Sequence, residues 1–402
     1  MSSFVRRIYR VLLPQIVPKS FDSQPMKFGI LGAANIAPNA LITPAKSHPE
    51  VVVYAVAARD LKKAKDFAKK HGIPKVYGGN TSYQQLLDDP EVEVVYNPLP
   101  NGLHFEWTMK ALYAGKHVLC EKPLANTAEE GRLMFDLAEK KGLVLLKAFH
   151  YRFHPAVQRV KALLDSGELG KIKSVDAKMA IPAGPVRDDN IRFRYDLGGG
   201  ALMDVGCYPI NCIRYLTSSN PTSVVSATPV PLKSANIQET KIDRAINATL
   251  AFPNDILATL EGDLAMPWKF FPPKLFKLWV EVKCEGGDVT LINFVLPTFW
   301  HSINVSTKAG STTTTRTEKV YKFADAHLEH GAGDSKTLDL GQDWWLTYRY
   351  QLEAFVDKLK GRTPQTWITR EDSVANMETI EMIYEKAGIG SRPKSTYEPL
   401  AL

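Results

Sequence analysis

Lys27-Phe28-Gly29-Ile30-Leu31-Gly32-Ala33-Ala34-Asn35-Ile36-Ala37 is the stretch that decides the fold. An apolar strand, Lys27–Leu31, runs into a glycine turn directly before a helical segment, the arrangement that sets a pyrophosphate against helix-terminal N–H groups in a dinucleotide fold. Gly32 takes the tight-turn position. Ala34 stands where a second glycine would bring the backbone close to the phosphates, and Ala37 fills the tolerant third position. Alone this degenerate pattern is weak; the segments downstream of it carry the weight. Apolar runs at Val51–Ala58, Val92–Asn97, His117–Glu121 and Leu143–Lys147, with a weaker one at Lys75–Tyr77, alternate with helical patterns at Asp60–His71, Ser82–Asp88, His104–Ala114 and Thr127–Lys141. Thr127 and Glu130 have capping-box spacing. Such alternation is the signature of βαβ units stacked around a parallel sheet.

After Phe149 the pattern changes. A helix over Pro155–Ser166 is followed by long alternating segments, Lys171–Ile181, Ser223–Pro231, Arg244–Phe252, Ile256–Leu264, Lys277–Lys283 and Ser302–Thr307. Without regular crossover helices these predict an antiparallel or mixed sheet. Two late helices, Leu346–Lys360 and Arg370–Ala387, close the chain, and the Thr-rich stretch Ser311–Thr317 reads as a solvated loop. The expectation is therefore an α/β protein in three parts: a basic extension over 1–25, a nucleotide-binding Rossmann domain over 26–149, and a second α/β domain over 150–402 with a large, open, mostly antiparallel sheet.

Composition narrows the function. The 402 residues are 45% hydrophobic and 23% charged, which excludes a mainly disordered chain, and no apolar run approaches the roughly 18 residues of a membrane span. Fifty Lys and Arg against 43 Asp and Glu give +7, too dilute over so long a chain to argue for nucleic acid. Cys120, Cys207, Cys212 and Cys284 show no Cys-x-x-Cys spacing and suit a reducing, cytoplasmic setting. The extension sets Arg6, Arg7, Arg10 and Lys19 among Phe4, Val5, Ile8, Leu12 and Leu13, with Pro14, Pro18 and Pro25 limiting any helix to a short piece. We read it as an arm packed on its own protein; the alternatives are a mitochondrial address or membrane-surface segment, or a disordered extension.

Several stretches carry chemistry. At the end of the second strand Ala58-Arg59-Asp60 puts a guanidinium where an acid would hold the ribose 2′-hydroxyl of NAD, which favours the 2′-phosphate of NADP; the bland reading is a solvated arginine before an N-cap. The fifth strand ends in Cys120-Glu121-Lys122-Pro123, a lysine at the carboxyl edge of the sheet, where open α/β folds bind ligands. Beside an oxidised nicotinamide its pKa should fall, while its ammonium donates to a substrate oxygen. Gly198-Gly199-Gly200 leads through Asp204 to Tyr208 and Pro209, and residues four apart on a helix share a face. A lysine ammonium and a helix N-terminus would both favour the phenolate of Tyr208; otherwise it is a buried tyrosine bonded to backbone. Pro98, Asn101 and His104 come after the fourth strand. Lys147, His150, Tyr151, Arg152 and His154 come after the sixth, with Arg152 and His154 as candidate sugar contacts. Trp268, Phe270 and Trp300 are candidate stacking residues, though core packing explains them as well. No His and acid spacing suggests a metal, and no Gly-x-Ser-x-Gly suggests a hydrolase.

Taken together, Gly32–Ala37, Glu121-Lys122-Pro123 and Gly198-Gly199-Gly200 through Asp204-x-Gly206-x-Tyr208 resemble the glucose-fructose oxidoreductase, inositol dehydrogenase and rhizopine catabolism family, and within it the dimeric dihydrodiol dehydrogenases and the fungal NADP-dependent D-xylose 1-dehydrogenases. The resemblance runs from Met26 to the final helices. It implies an NADP-dependent oxidoreductase acting on a small sugar or diol, with Lys122, Tyr208 and Asp204 at the reacting centre and a homodimer through the second sheet. Gly32, Ala34, Asn35, Ile36, Arg59, Pro98, Asn101, His104, Glu121 and Lys122 would face the cofactor, and Arg152, His154, Asp204 and Tyr208 the substrate. Tyr208 replaces the histidine of inositol-type members, which argues against an inositol. Two alternatives stay open: a regulatory protein that binds NADP without turnover, and an enzyme that keeps NAD(H) tightly bound.

Overall fold

The apolar runs of the first 150 residues pair into one parallel sheet. Residues 3–19, 24–232, 240–267, 276–326 and 341–399 are described by a computed structural model. Behind an N-terminal helix, α1 (Ser3–Leu12), the strands β1 (Met26–Leu31), β2 (Val51–Ala58), β3 (Lys75–Gly78), β4 (Val94–Asn97), β5 (His117–Cys120) and β6 (Leu145–Lys147) take the order β3-β2-β1-β4-β5-β6. The crossovers are a π turn (Pro38–Ile42) continuing into α2 (Thr43–Lys46), then α3 (Leu61–His71), α4 (Ser82–Leu87), α5 (His104–Tyr113) and α6 (Ala128–Lys140). Local chemistry sets their ends. Asp60 caps α3 by accepting from Lys63 N, Gly72 ends it at φ 70°, and Thr127 and Glu130 form the capping box of α6. Strand order reverses between β1 and β4, so a crevice opens past their carboxyl ends, where ligands bind in such sheets.

The second half builds an eight-stranded sheet. β7 (Ile172–Pro182), β8 (Ser223–Pro231), β9 (Asp243–Ala251), β10 (Leu257–Met266), β11 (Lys277–Cys284), β12 (Gly287–Ile292), β13 (Ser302–Ala309) and β14 (Thr312–Glu318) take the order β14-β13-β12-β11-β7-β10-β9-β8. Only β7 and β10 pair in parallel. The Thr-rich stretch expected as a loop is β14, an exposed edge strand in register with β13. Its hydroxyls hid it from an apolar pattern, while its β-branched carbons suit a strand. Against one side of this sheet lie α7 (Pro155–Asp165) and α8 (Cys207–Thr217); α9 (Thr347–Leu359) and α10 (Arg370–Lys386) return toward the first sheet.

The N-terminal arm packs on its own chain. Arg7 Nε donates to Thr298 O at 3.0 Å and its guanidinium lies 3.7 Å from the Tyr321 ring centroid, while Lys19 Nζ reaches Ala45 O at 2.7 Å. Phe4, Tyr9, Leu12, Leu13 and Ile16 face outward. At the other end of the chain Pro393 O accepts from Asn126 Nδ2 at 2.7 Å and Ser395 N donates to Glu130 Oε1 at 2.6 Å, so the tail crosses back onto the first sheet's helices. Among the described residues no helix is long and apolar enough to cross a membrane, and all four cysteines are unpaired thiols.

Candidate active site

A cleft of about 400 Å³ lies at the reversal point, between the loops after β1, β4 and β5 and the chain leading into α8. Gly32 makes the turn after β1 at φ 87°, a backbone that side-chain-bearing residues rarely adopt, and a Cβ there would meet Leu99 Cδ2 at 3.3 Å. Ala34 is half-buried and Asn35 and Ile36 are exposed on the chain beyond this turn. Ile36, Pro98, Asn101, Glu121 and Lys122 line the cleft. Beyond it, just past the end of β2, exposed Arg59 sits near Tyr83, whose ring packs edge-on against Trp107 with centroids 4.9 Å apart. A tight glycine turn before a helix, with a guanidinium on the neighbouring strand, fits a dinucleotide bearing a 2′-phosphate.

The reacting side comes from the Lys122 strand end and the helix of Tyr208. A π turn, Leu202–Gly206, runs directly into α8, and Pro209 is the third residue of α8. Lys122 Nζ donates to Asp204 Oδ1 at 2.8 Å and to Asp204 O at 2.7 Å, and Arg192 Nε donates to Asp204 Oδ2 at 2.8 Å. Tyr208 lies beside this cluster, with Lys122 Nζ 5.1 Å from its ring centroid. Its hydroxyl meets His150 Nε2 at 3.1 Å.

The glycine triplet is structural in a specific sense. Gly198 (φ 71°) and Gly200 (φ 125°) hold left-handed backbone. A Cβ on Gly200 would lie 2.2 Å from Asp243 Oδ1 and 2.4 Å from Arg392 Nη2. Asp243, fully buried, accepts from Leu202 N at 2.7 Å, Tyr384 Oη at 2.9 Å and Arg392 Nη2 at 2.6 Å, and Arg392 Nε donates to Gly199 O at 2.5 Å. A buried ion pair thus clamps the start of the π turn that aims Asp204.

Charge in the cluster departs from the sequence expectation. Burial pulls the Lys122 pKa down, but the Asp204 carboxylate, with Cys207, outweighs it and without nucleotide the net shift is upward. Burial alone would raise Asp204; Lys122 and Arg192 together bring it to about 2. The Tyr208 phenol is raised well above its ordinary value, by burial first and then by its neighbours Tyr348 and Glu121. The expected phenolate stabilised by Lys122 is therefore not the resting form. The ammonium sits over the ring face, and the hydroxyl points to His150 instead.

Other predicted residues separate. Asn101 lines the cleft, and its Nδ2 donates to Gly198 O at 2.9 Å; Glu121 Oε1 accepts from Tyr96 Oη at 2.7 Å. His104, expected at the cofactor, is fully buried with its ring nitrogens 2.8 Å from Pro123 O and from Leu99 O, so it fastens two loops and is not in the lining of this cleft. Arg152 and His154, expected at the substrate, are in the core: Arg152 stacks 3.5 Å over Tyr215 and reaches Asp372, and His154 caps α7 by accepting from Ala156 N. The 3-10 turn His150–Phe153 is what splits them from His150. Trp300 is exposed outside the cleft, and Trp268 and Phe270 lie outside the described residues. Sequence reading missed Arg192, Thr347 and Tyr348 and gave His150 no role. Arg192 had a weak signal, as a cation just ahead of the glycine triplet; Thr347 and Tyr348 arrive from a helix far along the chain. Among the described residues no cluster of His, Cys, Asp and Glu could hold a metal ion.

Comparison with known proteins agrees with this architecture. The profile of the GFO/IDH/MocA oxidoreductase family, NAD-binding Rossmann fold, matches residues 26–149, and that of the GFO/IDH/MocA C-terminal domain matches residues 157–290. D-xylose 1-dehydrogenase (NADP(+)) 2 of Haloferax volcanii is 34% identical over 367 residues, 91% of this chain and 98% of that protein. Trans-1,2-dihydrobenzene-1,2-diol dehydrogenase of Xenopus tropicalis is 33% identical over 246 residues, 59% of this chain and 69% of its own. A 3-ketoreductase from Actinomadura kijaniata, solved with NADP and TDP-benzene, superposes with a TM-score of 0.71 at 26% identity, covering 90% of this chain and 98% of that one. With both sheets, the glycine turn and the lysine-bearing edge in place, the chain belongs to the GFO/IDH/MocA family of oxidoreductases.

Proposed function

We propose that the protein is an NADP-dependent oxidoreductase that moves a hydride between nicotinamide and the hydroxyl-bearing carbon of a sugar or diol. The observation that carries this reading is the contact of Lys122 with Asp204 beside Tyr208, in a cleft at the carboxyl edge of the parallel sheet. Gly32 and the chain to Ile36 would hold the pyrophosphate, and Arg59 the 2′-phosphate. Bound there, the cofactor supplies a nicotinamide C4 that accepts or returns hydride. Lys122, kept charged by Asp204, donates a hydrogen bond to the substrate oxygen and stabilises it as negative charge builds. Tyr208 exchanges the hydroxyl proton with that oxygen. Arg192, on the far side of Asp204, fixes the carboxylate and presents its remaining N–H groups to a neighbouring hydroxyl. Met179, Ile181, Val186 and Ile191 give the opposite wall an apolar surface that packs on the substrate's carbon face.

We extend this reading to assembly and setting. A homodimer would form through the outer face of the eight-stranded sheet, where Lys178 lies 5.1 Å over the Trp279 ring. A cytoplasmic location accords with the four free thiols. The test is NADP⁺ reduction across pentoses, hexoses and trans-dihydrodiols at alkaline pH, with Lys122→Ala as control. Turnover on at least one class is expected, lost in the variant while NADPH binding stays. Tight NADPH binding with no turnover across the panel would overturn the reading in favour of a regulatory protein; NAD(H) found bound in the purified protein would overturn free exchange of NADP.

A further inference from the structure

The Tyr208 hydroxyl has a built partner that the reaction above does not use. His150 Nε2 lies 3.1 Å from Tyr208 Oη, and His150 Nδ1 lies 2.7 Å from Thr347 Oγ1. The imidazole is 1% exposed and stacks on Tyr348 with ring centroids 3.9 Å apart, so its orientation is fixed on both edges and one face. The charged group facing it is Lys122; the other titratable groups against it are the phenols of Tyr208 and Tyr348. Burial, and then the Lys122 charge, lower its pKa to about 3. It is therefore neutral at ordinary pH, with one N–H and one free lone pair.

We infer that His150 is the proton partner of Tyr208: Nδ1–H donates to Thr347 Oγ1, and the Nε2 lone pair takes the Tyr208 proton as Tyr208 Oη takes that of the substrate hydroxyl. The inference rests on the hydride-transfer reading above. In the oxidation direction the step balances. The substrate O–H bond breaks and a new Tyr208 O–H bond forms; the old Tyr208 O–H bond breaks and His150 Nε2–H forms. The electron pair of the substrate C–H bond leaves as hydride to the nicotinamide. A buried imidazolium is a strong acid, so it returns its proton through Tyr208 to water once product leaves the cleft. With the phenol raised and the imidazole lowered by burial, the proton rests on Tyr208 and occupies His150 only in passing, during the transfer. His150 acts through Tyr208 and is a positioning residue in that sense.

His150→Phe keeps a ring on Tyr348 and removes both nitrogens. We expect kcat to fall at least 30-fold, with substrate KM and NADPH Kd within threefold of wild type. His150→Gln offers an acceptor near the Nε2 position that takes no proton, and is expected to lose as much. His150→Ala should regain turnover on addition of imidazole, in proportion to its neutral fraction. Independently of turnover, long-range ¹⁵N NMR of histidine-labelled protein should show His150 as the Nδ1–H tautomer, with its Nε2 resonance moving in Tyr208→Phe. Wild-type kcat in His150→Phe, full restoration by His150→Gln, or an Nε2–H tautomer would each overturn the relay. A wild-type protein inactive on every sugar and diol fails the hydride-transfer reading instead, and the tautomer measurement still judges the contact.

Discussion

Replacing Asp204 by Asn tests the electrostatic core of the site with little change of shape. Asp204 is only 17% exposed and Lys122 15%, with Nζ 2.8 Å from Oδ1. At an effective dielectric of about 20, that pair attracts by about 6 kcal/mol before desolvation. Arg192, 44% exposed, adds less because water screens it. Desolvation consumes part of this, and removing one partner of a buried pair costs about 3–5 kcal/mol in practice. An amide can accept from only one of the two cations, and its NH₂ must then face the other. If about 3–4 kcal/mol of that loss falls on the transition state, kcat/KM drops by roughly 100- to 1,000-fold. The pH dependence sharpens the test. Lys122 donates only when protonated, so activity in oxidation falls as pH rises through its pKa. Asp204 is the main group lifting that pKa against burial, so in Asp204→Asn the alkaline limb should move toward neutrality. Steady-state rates followed by NADPH absorbance across pH, with NADPH fluorescence titration as a check on folding, read both effects. A variant within threefold of wild type, with its alkaline limb unmoved, would refute the assignment of Asp204 as the group that holds Lys122.

Two further outcomes are expected. Arg392→Met leaves Asp243 fully buried without its cation, and we expect about 3–5 kcal/mol of lost stability; calorimetry showing Tm within about 2 °C of wild type would mean the clamp on the glycine triplet carries little. Arg59→Asp should cut the preference for NADP over NAD at least 30-fold in paired cofactor titrations, because a carboxylate repels a 2′-phosphate and accepts from a ribose hydroxyl; an unchanged ratio would place the phosphate elsewhere.

The first sheet was legible because its inner strands, β4 above all, are buried and read as unbroken apolar runs, and because Asp60 and Thr127 announce the helices they cap. β14 was not, since an exposed edge strand has no apolar face to show. At the site, Gly32, Lys122 and Asp204 were readable because each sits at a strand end or turn whose geometry the local sequence dictates. His104 and Arg152 share one reason for being read as site residues: a polar side chain bonded within the core looks, in one dimension, like one that waits for a ligand. His150 and Thr347 are almost 200 residues apart, and nothing short of the folded chain pairs them. The 3-10 turn His150–Phe153 sets Arg152 and His154 apart from His150, which their closeness in sequence does not show.

The widened turn at Leu202–Gly206 has an evolutionary corollary. Each residue of a helix advances it by about 100°, so deleting a single codon within this turn would rewind everything after it and swing the phenol of Tyr208 out of the crevice. The glycine turn after β1 is remote from this change, but α8 is buried along most of its length against β7 and β10 and would have to repack with it.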